Sequence, residues 1–174
     1  MPVIDLFFRQ VYLFFIVERC SRRVVHLNVT PHPTNEWIAQ QLREATPFDQ
    51  RPRFLIQDRD RKYGQRFATV AKDSQIEILK TPYRAPKANA ICERFLGSVR
   101  RECLDHLLIL GESHLYRVIK DGKRVEFFNQ ARPHQGIEQK IPEGIQVAEN
   151  EHPKGKIIAF PGLNGLHHDY RRAA

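Results

Sequence analysis

Seven consecutive apolar residues, VYLFFIV at positions 11–17, constrain the fold most. A bilayer span needs roughly 18 such residues, so this run cannot cross a membrane. A signal peptide needs a longer apolar run, a basic start and a small-residue cleavage site. Here Asp5 lies in the start, and Cys20-Ser21-Arg22-Arg23 follows the run. Its β-branched and aromatic side chains suit a buried strand. A second run, RVVHLNVT at 23–30, begins after the short turn Cys20-Ser21-Arg22. Residues 10–18 and 23–30 are therefore predicted to form an antiparallel hairpin.

Pro31 and Pro33 end the second strand. Thr34 can cap a helix to about Ala45, with Trp37, Ile38, Gln41 and Leu42 at helical spacing. RFLIQ at 53–57 reads as a short strand, its continuous apolar centre suggesting cover on both faces. A helix over 64–73 and a strand over 75–79 follow. TPYRAPK at 81–87 contains two prolines and reads as a loop. Further helices are predicted over 88–105 and 112–128. From Pro142 the chain reads as an extended tail. Two antiparallel strands, a helix, then strand–helix–strand–helix is an α/β order with one mixed sheet.

Of the 174 residues, 41% are hydrophobic, with a mean hydropathy of −0.50, enough for a core and too much for gross disorder. A net charge of +8 and a pI near 9.7 point to a polyanionic partner. No amphipathic helix with a basic polar face stands out, which argues against a membrane surface. Cys20, Cys92 and Cys103 form no CxxC pair and read as reduced thiols of a cytosolic protein.

Three features carry candidate chemistry. Asp58, in QDRDR, sits at the carboxyl end of a predicted strand, where sites form in open α/β sheets; on the local sequence alone a solvated turn is the plainer explanation. On the helix after it, Ile91, Cys92, Phe95, Leu96, Val99 and Cys103 make one apolar arc. Glu93 lies just off the edge of that arc, roughly 60° from Leu96. It can face a cleft or pair with Arg94 or Arg100. Gly97, one turn on, leaves room for something to approach. Residues 80–101 carry six bases (Lys80, Arg84, Lys87, Arg94, Arg100 and Arg101) against one acid, Glu93. Tyr83 inside the cluster could stack on a base. Bases around a carboxylate suit phosphodiester chemistry: carboxylates hold divalent ions, while Lys and Arg hold the flanking backbone.

These residues resemble the catalytic core of the DDE integrases and transposases, the group with an RNase H-like fold that includes retroviral integrases and bacterial insertion-sequence transposases. The resemblance covers nearly the whole chain. QVYLFFIVERCSRRVVHLNVT is similar to the family's second and third strands, and PHPTNEWIAQQLREA to its first helix. FLIQDRDRKYG resembles the segment with the second catalytic Asp, and TPYRAPKANAICERFLGSVRRECLDH the segment with the catalytic Glu. ARPHQGI resembles a motif near the end of the transposase core, and GLHHDYRRAA a terminus of one bacterial branch.

The resemblance implies an RNase H-like mixed sheet flanked by helices. It assigns 1–141 to an integrase catalytic core with an incomplete first strand, and 142–174 to a C-terminal extension. Asp58 takes the place of the second Asp and Glu93 that of the Glu, with 34 residues between them, close to the usual spacing. Both would be catalytic and hold Mg²⁺ or Mn²⁺. The first Asp is expected at or just before Met1, as in a copy truncated at its amino terminus. Asp5 is the only nearby acid and the lesser candidate for that role. With the first Asp absent, metal would be weakly held and activity impaired. Lys80, Arg84, Lys87, Arg94, Arg100 and Arg101 would bind DNA. The implied function is metal-dependent DNA nicking and strand transfer during integration. The alternative is a non-catalytic DNA-binding remnant associating with an intact transposase. Implied partners are mobile-element ends, target DNA, and a homo-oligomer or an intact transposase. The implied location is the bacterial cytoplasm, at the nucleoid.

Overall fold

The computed structural model describes residues 1–47, 51–60, 62–82, 86–121, 124–130, 132–143, 156–162 and 167–172. The chain divides into two compact units. One comprises Met1–Val17 and Val25–Glu112, the other Glu18–Val24 and Ser113–Ala174.

In the first unit, β1 (Pro2–Ile4), β2 (Gln10–Val17) and β3 (Val24–Thr30) form a sheet in that order. β1 and β2 are antiparallel, with Val3 opposite Val11. The strand alternation works as elementary geometry demands: Val11 and Leu13 on β2, and Val24, Leu27 and Val29 on β3, are buried. α1 (Asn35–Ala45) begins where the sequence predicts, with the Thr34 hydroxyl accepting from the Trp37 backbone N–H. β4 (Phe54–Gln57) and β5 (Glu77–Lys80) pair in parallel across α2 (Gln65–Asp73).

Ile38, Ala39 and Leu42 of α1, and Phe67, Val70 and Ala71 of α2, close one core with Ile76. Phe14 and Ile16 of β2, Leu55 of β4 and Ile78 of β5 pack against it. Gly64 permits the close approach of the two helices, since a Cβ there would stand 2.7 Å from the Asn35 side chain. Asn35 Oδ1 in turn accepts from the Phe67 N–H at 3.4 Å, in the first turn of α2. The opposite face of β2 meets α3 (Pro86–Glu102), where Phe15 and Phe95 lie 4.7 Å apart between ring centres. α3 starts two residues earlier than expected, because a proline suits the first helical position. It ends sooner, in a 3-10 turn over Leu104–His106.

Four expectations need adjustment. The predicted helix over 112–128 is broken into α4 (Glu112–Tyr116), a π turn (Arg117–Asp121) and α5 (Arg124–Gln130). In sequence, Asp121-Gly122 interrupts the apolar spacing of this stretch, and glycine is a poor helix former. β4 is not covered on both faces. Its Leu55 side meets α1 and α2, while Phe54 and Ile56 stay half-exposed, as does Leu79 on the same face of β5. The sheet is not one continuous ladder among the described residues: β4 and β5 pair apart from β1–β2–β3, and the three-residue β1 bonds to β2 alone. The expected extended tail carries an antiparallel hairpin, β6 (Ile157–Gly162) with β7 (His167–Arg172). The sequence between those strands contains Asn164-Gly165, a hairpin signal.

The second unit is organised by Asn129 on α5. Its buried amide accepts from the Val24 N–H at 2.9 Å and donates to the Val24 carbonyl at 3.0 Å, as a neighbouring strand would. Leu115, Ile119 and Phe128 are buried in this unit.

Candidate functional site

β4 delivers Asp58 to its carboxyl end, and two successive side-chain turns shape the loop beyond it. The Asp60 N–H donates to Asp58 Oδ1 at 3.1 Å, and the Lys62 N–H donates to Asp60 Oδ1 at 3.0 Å. The loop is tied to the end of β5. The Thr81 N–H donates to the Gln57 carbonyl at 2.9 Å, and Arg59 Nε donates to the Thr81 carbonyl at 3.1 Å. Asp58 is exposed and forms no ion pair with a described residue; Asp60 pairs with Lys62 at 3.7 Å.

α3 carries Glu93, also exposed and without an ion pair among the described residues. The arc beneath it is as the spacing predicts, with Phe95, Val99 and Cys103 buried. Neither suggested arginine holds Glu93. Arg100 pairs instead with Asp105 at 3.6 Å, and Arg94 is exposed. The room beside Gly97 is taken by Arg101, whose Nη1 would lie 3.2 Å from a Cβ added there.

Asp58 and Glu93 both act electrostatically on one group between them in sequence, Cys92. Burial pushes the Cys92 thiol above its ordinary pKa, and the charges of Asp58 and Glu93 push it the same way. Burial likewise raises the Tyr63 phenol strongly, with Asp58, Asp60 and Cys92 adding to the effect. At Met1 the ammonium donates to the Leu13 carbonyl at 2.8 Å. Burial, then Lys62, lowers its pKa, while Asp58 and Asp60 oppose them. The start of β1 thus lies near the loop after β4.

Asp5 sits elsewhere in chemical terms. Its buried carboxylate accepts from the Phe7 and Arg9 N–H groups at 2.9 and 2.8 Å, and from Arg9 Nε at 2.8 Å. Burial works to raise its pKa, but the Arg9 N–H, the Arg9 guanidinium and the Phe7 N–H outweigh it and lower the value.

Of the six bases, Lys80 ends β5 and is exposed, Lys87 lies in the first turn of α3, and Arg94, Arg100 and Arg101 are exposed along α3. Arg84, with Tyr83, lies outside the described residues. Sequence reasoning left Asp60 outside the catalytic set, because it matches a position that is often Gly in the family, and passed over Lys62 and Tyr63. The alternating acids and bases of DRDRK were the available signal for a doubly turned loop. Cys92 counted only as part of the apolar arc, although it adjoins Glu93.

The donors Asp58 and Glu93 are hard oxygens of the kind Mg²⁺ and Mn²⁺ take. Among the described residues no group of three His, Cys, Asp or Glu side chains is placed to hold a metal ion. No described helix is long and apolar enough to cross a membrane.

Comparison with known proteins matches residues 74–142 to the integrase core domain family. The chain is 28% identical over 160 residues to an uncharacterized 39.2 kDa protein of insertion element IS476 from Xanthomonas euvesicatoria. That match takes in 91% of this chain and 45% of the relative, so the chain spans less than half of the relative's length. In structure it is similar to a chain of the simian T-cell lymphotropic virus intasome, solved by cryo-EM with the PP2A regulatory subunit B56 gamma. The TM-score is 0.64 at 15% identity, over 98% of this chain and 63% of that one. The fold is thus the RNase H-like fold of a retroviral integrase core, and residues 74–142 are similar to the integrase core domain family.

Proposed function

We propose that the domain serves DNA integration or transposition, with Asp58 and Glu93 as two of the carboxylates that work on a DNA phosphodiester. One observation carries this reading. Two exposed carboxylates without ion pairs among the described residues, one at a strand end and one on α3, act on the same half-buried thiol, Cys92. Structural carboxylates in this fold behave differently, being held by arginine or lysine.

Asp58 and Glu93 would hold a divalent cation, Mg²⁺ or Mn²⁺. When bound, such an ion polarises a phosphoryl oxygen and favours an attacking hydroxyl. The protein's part is positioning. The Asp60 N–H donates to one oxygen of Asp58 and restrains that carboxylate. Exposed Lys80, Arg94, Arg100 and Arg101, with Lys87 and Arg84, supply the charge that grips DNA on either side. The family register calls for a third carboxylate at or just before Met1, whose ammonium already feels Asp58 and Asp60. The partners are mobile-element ends and target DNA, with a second copy or an intact transposase, in a cytoplasmic, nucleoid-associated setting.

The test is a Mn²⁺ titration by calorimetry beside a plasmid-nicking assay. Weak Mn²⁺ binding that disappears in both Asp58→Asn and Glu93→Gln supports the assignment. Equal binding in all three proteins refutes it. A chain extended upstream to place an Asp before Met1 should gain nicking activity. DNA binding with no nicking, even after that extension, would favour the non-catalytic reading. Changing Lys87, Arg94 and Arg101 together to Ala should flatten the log–log salt dependence of DNA binding by about 2–3.

A further inference from the structure

The turn between β1 and β2 holds Leu6, Phe7 and Phe8 outward. Phe8 is 90% exposed and Phe7 62% exposed. Beside them runs the segment 107–110, joined by the Leu6 N–H donating to the Ile109 carbonyl at 2.6 Å. That segment exposes Leu108 at 71% and Leu110 at 53%, and Ile4 at the end of β1 is half-exposed. These side chains offer on the order of 600 Å² of apolar surface, at the top of the roughly 300–600 Å² range of the largest patch on a monomer, where such patches are often functional, and approaching the ~800 Å² per partner of a standard interface.

The patch is also rigid. Asp5 accepts from the Phe7 and Arg9 N–H groups and clamps the Arg9 guanidinium, which lies 5.0 Å from the Phe7 ring centre. Phe8 has a φ of 59°, the left-handed region that a bulky side chain rarely takes. An aromatic is thus placed where both backbone strain and water disfavour it, and the fold of a single copy gains nothing from it. Asn would make the same turn with less strain and less apolar exposure.

We propose that this patch is a docking surface for a second copy of the chain, tip against tip across a twofold axis. Its charged groups, Asp5 and Arg9, cancel each other, so two copies meet there without like charges opposing. The same neutrality leaves little to attract a DNA backbone, whose binding the excess charge elsewhere on the chain serves. A preorganised patch also loses little side-chain freedom on association. The proposal is independent of the metal site.

Sedimentation velocity from low to high micromolar concentration tests it. The chain should pass from monomer to dimer over that range. Phe8→Asn and Leu108→Glu should each weaken association at least tenfold. Phe8→Asn should keep the melting temperature of the parent monomer or raise it, which separates lost docking from lost folding. In a Cys20→Ser background, Phe8→Cys should form a covalent dimer on oxidation. A chain that stays monomeric throughout would overturn the proposal. So would variants that dimerise like the parent, or a Phe8→Cys protein that does not cross-link. Loss of DNA affinity in Phe8→Asn while the parent stays monomeric would identify unstacked bases as the occupant instead.

Discussion

Asp5 and Asp58 each follow a strand of the same unit, yet their surroundings are opposite. Asp5 is buried, and its oxygens take two backbone N–H groups and a guanidinium. Asp58 is exposed and, among the described residues, takes one backbone N–H and no cation. The first carboxylate is consumed in closing a turn, and the second is restrained by a single bond and left exposed. The difference lies in the residues just downstream of each acid. After Asp5 a four-residue excursion returns Arg9 to it, whereas after Asp58 come Asp60 and Lys62, which satisfy each other.

The largest effect expected on stability is that of Asp5→Ala. It orphans the Phe7 and Arg9 N–H groups and frees Arg9, so the melting temperature should fall further than in Asn129→Ala or Asp58→Asn. The loss should depend on pH. The folded pKa of Asp5 is depressed, so its contribution is complete above the ordinary value of 3.8 and disappears as pH falls through the lower folded value. The gap between parent and variant should therefore narrow as the pH drops below about 4. A gap constant with pH would mean that neutral packing, not the charge, holds the turn.

Asn129→Ala extends the comparison to the second unit, where a buried amide is likewise committed to backbone. Removing it strands the Val24 N–H and carbonyl, at a cost of about 2–3 kcal/mol, or roughly 4–10 °C in melting temperature. Thermal denaturation of the purified chain measures it. A change under about 0.5 kcal/mol, the range of ordinary surface substitutions, would show that water replaces the amide.

The same contrast explains how much the sequence could disclose. The hairpin, the Thr34 cap, α1, α2 and the buried arc of α3 come from local pattern, because each is decided by periodicity or by one capping hydroxyl. Asp58 and Glu93 were singled out by the resemblance of their segments to the integrase core; local pattern placed them after a strand and on a helix, where they stand. Whether an acid is spent or open was not legible, since Asp5 depends on where Arg9 returns and Glu93 on Arg100 choosing Asp105. Nor was the exposure of Phe54 and Ile56, because an apolar strand reads alike whether one or both faces find a helix. The break within 112–128 was recoverable, since Asp121-Gly122 interrupts that apolar spacing.

Asp58→Asn should be nearly silent in stability, within about 0.5 kcal/mol, because its carboxylate is exposed and little of its bonding is buried. It should nevertheless abolish Mn²⁺ binding. Thermal melts with and without Mn²⁺ read both at once: the parent gains stability with the ion, and the variant does not. A large loss of stability without metal would place Asp58 with Asp5, as a carboxylate that holds the fold.

The smallest effect concerns Cys92, and it probes the convergence of the two acids directly. Burial dominates the raised pKa of this thiol, and Asp58 and Glu93 each contribute less. Replacing either acid with its amide removes one negative charge that disfavours the thiolate, so the Cys92 pKa should fall modestly toward its ordinary value. Since the thiolate is the reactive form, alkylation of Cys92 at mildly alkaline pH should quicken slightly in Asp58→Asn and in Glu93→Gln. The measurement needs Cys20→Ser, because Cys20 is exposed; Cys103 is buried and should react slowly. Asp5→Asn supplies the control, since Asp5 does not act on this thiol. An increase in Glu93→Gln alone would reflect only the neighbouring position on α3 and would separate Asp58 from the helix. An increase in both, at unchanged melting temperature, requires that a charge at the end of β4 and one on α3 reach the same sulfur.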